Sequence, residues 1–122
     1  MPPQADITIS QAVVKRPLAG RTKTVAYFEL KNNSSTIKTL RKIRSDIAGA
    51  IEIHTTLKSG ATLRMQRLKE LAVPALSSVT FSPGDKHLML FRVGRLPMKL
   101  ANLEFGFSDG STYELEFVIE DY

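Results

Sequence analysis

Residues 102–120, NLEFGFSDGSTYELEFVIE, indicate the fold class most clearly. Asn102–Ser108 and Thr112–Glu120 alternate apolar and polar side chains, with the period of two that is typical of strands with one buried face. Asp109-Gly110 stands between the two segments, and this dipeptide favours the tight turn of a β-hairpin. The end of the chain is therefore predicted to be an antiparallel hairpin.

The same period recurs through most of the chain. Further strands are predicted over Asp6–Lys15, Lys23–Lys31, Ala50–Leu57, Ala61–Leu68, Ser78–Phe81 and Lys86–Val93. Thr36–Asp46 fits a helical spacing nearly as well as a strand, and we expect a strand because its neighbours are strands. About eight or nine short strands without a long helix predict an all-β fold, a single antiparallel β-sandwich or Greek-key barrel.

Length and composition set the domain organisation. The chain has 122 residues, of which 43% are hydrophobic, so we expect one domain over residues 1–122. Residues 1–5 are expected to be a disordered or non-native N-terminus. No basic region followed by an apolar one is visible there, so the sequence shows no signal peptide. No apolar run approaches the roughly 20 residues of a membrane span, so no span is expected in this chain.

Charge and cysteine content narrow the function classes. The chain has no cysteine, which excludes disulfides, cysteine zinc sites, iron–sulfur clusters and thiol nucleophiles. The net charge is +5, with basic residues clustered in 38–44 and 64–69. No aromatic residues lie among them as a stacking platform, so we expect no nucleic acid partner. A solvated basic face or a docking patch for an acidic partner is the favoured interpretation.

Both histidines are predicted to share a sheet face with a methionine. If Ser59-Gly60 is the two-residue loop of a hairpin, His54 lies directly opposite Met65. His87 and Met89 are two residues apart on one strand and therefore point to one face. Each residue alone fits an ordinary core or surface role, but two such pairs together favour a site. Soft thioethers select Cu(I), and imidazole binds copper in either oxidation state.

The order of these residues resembles a known pattern. His54, ten residues, Met65, twenty-one residues, and His87-Leu88-Met89 resemble the H-x10-M-x21-H-x-M motif of the periplasmic PCu(A)C copper chaperones. The surrounding segments 26–32, 51–54, 83–90 and 105–110 also resemble that family. The resemblance implies a cupredoxin-like β-sandwich that binds Cu(I) through His54, Met65, His87 and Met89.

The resemblance also implies a role. Copper would be delivered to the CuA centre of cytochrome c oxidase, so the expected partners are the CuA-bearing subunit and other copper chaperones. We expect a monomer that is not an enzyme and lies in the periplasm or otherwise outside the cytoplasm, with its signal or anchor absent from this sequence. Two alternatives remain open at this point: extracytoplasmic copper scavenging or buffering, and a β-sandwich interaction module that binds no metal.

Overall fold

The computed structural model describes residues 5–122, which form ten strands and no helix. The strands are β1 (Ile7–Lys15), β2 (Thr24–Asn32), β3 (Lys38–Arg44), β4 (Ala50–Ser59), β5 (Thr62–Leu68), β6 (Leu71–Val73), β7 (Ser78–Phe81), β8 (His87–Phe91), β9 (Leu100–Phe107) and β10 (Thr112–Glu120). Residues 1–4 lie outside the described part, so the expectation of a disordered or non-native N-terminus over residues 1–5 stays a prediction. The Ala5 carbonyl accepts a hydrogen bond from Asn33 Nδ2 at 3.0 Å.

All strands belong to one sheet in the order β5-β4-β8-β2-β1-β10-β9-β3-β6, and β7 pairs with β2 beside β8. Every pair is antiparallel except β1 with β10. A parallel pair needs a long connection between its strands, which the whole intervening chain supplies here. Among residues 5–122, β5 and β6 do not pair with each other, so the sheet does not close into a barrel. The all-β sandwich prediction is confirmed.

The sheet folds over a core built from alternate residues of its strands. Phe28 of β2 lies edge-on to Phe105 of β9 and Phe117 of β10, with ring centroids 5.3 and 5.6 Å apart. Phe28 also stacks on Phe81 at 4.3 Å. The edge-on contacts join β2 to β9 and β10 across the core. Each of these strands packs one face against the core and turns its other face outward.

The segment left ambiguous by its spacing is strand β3, as expected, and it pairs with β9 and β6. Strand β6 was not predicted, because three residues are too few to show a period of two. In the described part of the chain, no helix is long and apolar enough to cross a membrane.

The basic cluster in 38–44 is largely neutralised within the protein. Lys38 is buried, and its ammonium donates hydrogen bonds to Asp109 Oδ2 at 2.5 Å and Ser111 Oγ at 2.8 Å. Arg41 pairs with Glu70, and Arg44 pairs with Glu104. Arg41, Lys42 and Arg44 remain exposed, so the cluster is still a solvated face, but most of its charge is paired with carboxylates of the same chain.

Candidate metal centre

The pairing of β4 with β8 brings the two histidines together. His54 lies directly opposite His87 in the ladder, and their ring centroids are 5.5 Å apart. Ile53 and Leu88, the neighbouring pair, are buried in the core. Because successive side chains of a strand point to opposite faces, burial of this pair holds both imidazoles on the outer face.

The hairpin register differs from the prediction. The two-residue turn is Gly60-Ala61, closed by Ser59 and Thr62, rather than Ser59-Gly60. Gly60 has φ +59°, the left-handed value that the first turn residue of a type II′ hairpin requires and that glycine adopts without strain.

The prediction that His54 directly opposes Met65 was therefore wrong. His54 lies opposite Arg67, and Met65 lies opposite Thr56. Thr56 is two residues from His54, so the shift moves Met65 to a diagonal position but keeps it on the same face. Diagonal neighbours of this kind remain within reach of a long side chain.

Met89 approaches the histidine pair from another direction. It lies two residues beyond His87 on β8, opposite Glu52 of β4 and Val25 of β2. Met65 and Met89 therefore flank the paired imidazoles on the same outer face.

The four side chains differ greatly in exposure. His87 is 5% exposed and Met65 is 60% exposed, whereas His54 and Met89 are half-buried. Burial lowers the pKa of His87; a hydrogen bond with the main chain of Asp85 opposes this shift, and neighbouring His54 adds to it. The lowered pKa keeps the His87 imidazole neutral at pH 7, which is the form that binds a metal.

Two ring nitrogens are buried without a hydrogen-bond partner in the described residues: His54 Nδ1 and His87 Nε2. A buried polar atom without a partner costs about 1–3 kcal/mol, so such atoms call for a specific explanation. A metal ion bound to their lone pairs supplies one. The histidines of this chain therefore fit a metal site.

Glu52 determines which ring nitrogen of His54 keeps a free lone pair. His54 Nε2 lies 3.0 Å from Glu52 Oε1 and donates a hydrogen bond to this carboxylate oxygen. That hydrogen bond places the proton on Nε2 and leaves Nδ1 as an acceptor, in the way that carboxylates orient metal-binding histidines elsewhere. Arg67 Nε lies 3.7 Å from the other oxygen of Glu52 and helps to hold it.

Sequence reasoning gave Glu52 no role, and it did not place Arg67 beside Glu52. The signal for Glu52 was available, because it lies two residues before His54 on a predicted strand and so shares its face. Arg67 could be placed only from the observed hairpin register, which the predicted turn had shifted.

A surface depression of about 300 Å³ adjoins the site and is bounded by Val25, Tyr27, Thr56, Met65 and His87, among others. It opens the buried His87 towards solvent beside the exposed Met65. A second depression, of about 600 Å³ between the 16–22 and 93–97 loops, is lined by neither histidine nor methionine. The smaller depression is therefore the candidate place for a metal ion.

The donor set excludes a site made of imidazoles and carboxylates alone. Among residues 5–122, no group of three or more His, Cys, Asp or Glu side chains could hold a metal ion. The two thioethers on the same face are the further donors available beside the two imidazoles, and thioethers favour soft ions.

Known proteins match nearly the whole chain. The family model described as putative lipoprotein LpqE-like matches residues 7–119. A putative lipoprotein of Leifsonia xyli subsp. xyli is 30% identical over 124 aligned residues, which cover 98% of this chain and 73% of that protein.

Solved structures also match this chain in fold. The copper-bound PCuAC domain of PmoF2 has a TM-score of 0.80 at 21% identity, over 97% of this chain and 95% of that one. The Cu(I) form of DR1885 from Deinococcus radiodurans has a TM-score of 0.73 at 25% identity, over 90% of this chain and 75% of that one. The resemblance found in the sequence is confirmed: the chain has the fold of PCuAC domains and belongs to the LpqE-like family of putative lipoproteins.

Proposed function

We propose that this protein binds Cu(I) through His54, Met65, His87 and Met89 and delivers it outside the cytoplasm. The observation that carries the proposal is the pair of buried, unpartnered ring nitrogens on the face that also bears both methionines. Copper is the cargo in this scheme, and the function is binding and transfer rather than catalysis.

The donor set suits Cu(I). Two thioethers and two neutral imidazoles carry no charge, so a monovalent ion leaves a single positive charge in a partly buried place. A divalent ion would cost more desolvation without an anionic ligand to offset it. Thioether is also a poor ligand for zinc, which prefers nitrogen, thiolate and carboxylate oxygen.

Exposure of Met65 favours delivery over storage. A storage site gains from enclosing its ion, whereas a delivery site must let a second protein reach it. Met65 is 60% exposed and lies on β5, the edge strand of the sheet. An incoming ligand can therefore replace its sulfur while the histidines still hold the ion.

The proposed receiver is the CuA-bearing subunit of cytochrome c oxidase. The family and the curated relative are described as putative lipoproteins, which supports a location outside the cytoplasm. The structural relatives include copper-bound PCuAC domains, which supports copper as the cargo. The periplasm or another extracytoplasmic compartment is the proposed place of transfer.

Cu(I) titration against a competing chelator, under anaerobic and reducing conditions, tests binding. We expect one Cu(I) per protein. Transfer to an isolated apo-CuA domain, followed by its visible absorption, then tests delivery. Absence of Cu(I) binding would overturn the whole proposal, and tight binding without transfer would overturn delivery in favour of scavenging or buffering.

A further inference from the structure

The strand that carries Met65 forms one end of the sheet. Strand β5 pairs with β4 and, within residues 5–122, with no other strand. Residues 62–67 are all exposed. The outer side of β5 therefore presents a free strand edge next to the proposed copper ligand, and such edges are templates for pairing with another chain.

The register identifies the main-chain groups on that edge. Ser59 and Thr62 close a two-residue turn, and such a closing pair exchanges both main-chain hydrogen bonds. Bonded and non-bonded pairs alternate along an antiparallel ladder, and the β4–β5 pairing runs without a bulge. The N–H and C=O groups of Leu63, Met65 and Arg67 therefore point away from β4.

The same hairpin is uniformly basic. Residues 53–69 include four Lys or Arg side chains and no Asp or Glu. Arg67 faces Glu52, but no carboxylate in residues 5–122 lies within 4 Å of the Lys58, Arg64 or Lys69 head groups. Among residues 5–122, the three positive charges of this hairpin segment therefore have no carboxylate within ion-pair distance.

We propose that the free edge of β5 docks an extended, acidic segment of the copper-receiving protein as an added strand. Main-chain hydrogen bonds to Leu63, Met65 and Arg67 would give the affinity, and Lys58, Arg64 and Lys69 would select the acidic sequence. This inference rests on the proposed function, whose receiving partner it describes.

Strand addition also gives a route for the ion. In a hydrogen-bonded antiparallel pair the two Cα atoms are about 5.5 Å apart, and their side chains share a face. A Met or His of the partner opposite Met65 would therefore stand on the ligand face, beside the exposed thioether. The ion can move to this soft donor as the Met65 sulfur leaves.

Other occupants of the edge fit less well. A second copy of β5 would bring two basic hairpins together, and like charges across a strand pair are destabilising. An anionic lipid surface would match the charge but has no main-chain groups to pair with Leu63, Met65 and Arg67.

The test uses metal-free, 15N-labelled protein titrated with the peptide acetyl-Glu-Val-Glu-Met-Glu-Val-Glu-amide. We expect the amide signals of Leu63, Met65 and Arg67 to shift and their hydrogen exchange to slow. The amides of Arg64 and Gln66, already bonded to β4, should respond less. The same peptide with Lys in place of Glu should bind at least tenfold more weakly.

Two variants separate backbone pairing from charge. Leu63→Pro removes an outward N–H without removing a β4–β5 bond, and we expect at least tenfold weaker peptide binding. Leu63→Ala keeps that N–H and is the matched control, expected within about twofold of the parent because no main-chain bond is lost. Lys58→Glu/Arg64→Glu leaves the backbone intact and should also weaken binding at least tenfold, which keeps the test decisive if Leu63→Pro disrupts the hairpin.

Several outcomes would overturn the inference: no response at the three outward amides, equal binding of the Lys peptide, or peptide binding unchanged in the charge variant. Self-association through β5, or binding to anionic vesicles alone, would assign the edge to another occupant. Because the titration contains no metal, its result is independent of Cu(I) affinity. Peptide binding without Cu(I) binding would overturn the proposed function alone, and Cu(I) binding without peptide binding would overturn strand docking alone.

Discussion

The paired histidines and the β4–β5 hairpin hold their parts of the proposed copper site in very different ways. His54 and His87 lie on two paired strands within the sheet, above the buried Ile53 and Leu88. Met65 lies on an edge strand whose residues 62–67 are all exposed.

The contrast indicates different roles for the proposed ligands. Burial of Ile53 and Leu88 holds both imidazoles in place before any ion arrives. Binding an ion therefore costs these two side chains little conformational entropy. The hairpin has few buried contacts, which is typical of segments that open or rearrange at low cost. A delivery protein needs both properties, a prepared place for the ion and a donor that another protein can replace.

The largest effect should come from the buried side of this contrast. We expect His87→Ala to weaken Cu(I) binding at least ~100-fold, because even loss of a residue that only orients a ligand costs about 10–100-fold. Chelator competition measures the affinity, and circular dichroism checks the fold. An affinity within threefold of the parent would remove His87 from the site.

Removing both thioethers should have the next largest effect. Met65→Leu/Met89→Leu roughly conserves side-chain volume, so the fold should persist while Cu(I) affinity falls by about 10–100-fold. Met98→Leu is the matched control: this methionine is 43% exposed and lies in the connection between β8 and β9, outside the motif, so Cu(I) affinity should not change. An unchanged affinity in the double variant would mean that both methionines serve packing only.

A smaller effect is expected at Glu52. The Glu52→Gln side chain keeps its shape but loses the negative charge that holds the proton on His54 Nε2. We expect about tenfold weaker Cu(I) binding, at the low end for such supporting residues. Glu29→Gln, on the outer face of β2, is the control; equal losses in both variants would point to overall charge instead of orientation of His54.

No effect on copper is expected at the far end of the sheet, where Asp109 pairs with Lys38. Hydrogen bonds from Lys38 and Ser111 hold the pKa of Asp109 well below its usual range. Because the folded pKa is lowered, this carboxylate contributes stability above its unfolded pKa of about 4, and the contribution is lost as pH falls below that value.

Asp109→Asn should therefore lower the melting temperature by several degrees at pH 7, with a gap to the parent that narrows below about pH 4. Cu(I) affinity should stay the same. A gap that does not change with pH would assign the loss to hydrogen bonding geometry rather than to charge.

Strand content could be predicted from the sequence because burial of one sheet face imposes a period of two on the side chains. Ser78–Phe81 and Thr112–Glu120 were predicted to the residue, and the others to within about two residues at each end. The three-residue β6 and the parallel pairing of β1 with β10 were not predicted, since both arise from contacts between distant parts of the chain.

Prediction of the candidate site was limited in the same way, because its geometry depends on contacts between distant parts of the chain. The spacing of His54, Met65, His87 and Met89 in the chain identified the candidate ligands. Their arrangement depended on which residues form the hairpin turn, and the φ of Gly60 set that turn one residue later than predicted. The error left Met65 on the correct face only because it displaced the pairing by two residues, a full period of the strand.

Local alternation and side-chain chemistry were enough to predict the all-β class, the residue types that suit Cu(I), and the faces on which they lie. Tertiary structure alone decided that His54 opposes His87, that Glu52 orients His54, and that Met65 stands exposed on a free basic edge. Strand order and register join residues far apart in the chain, and they are set by how the whole sheet packs over its core, which no local pattern records.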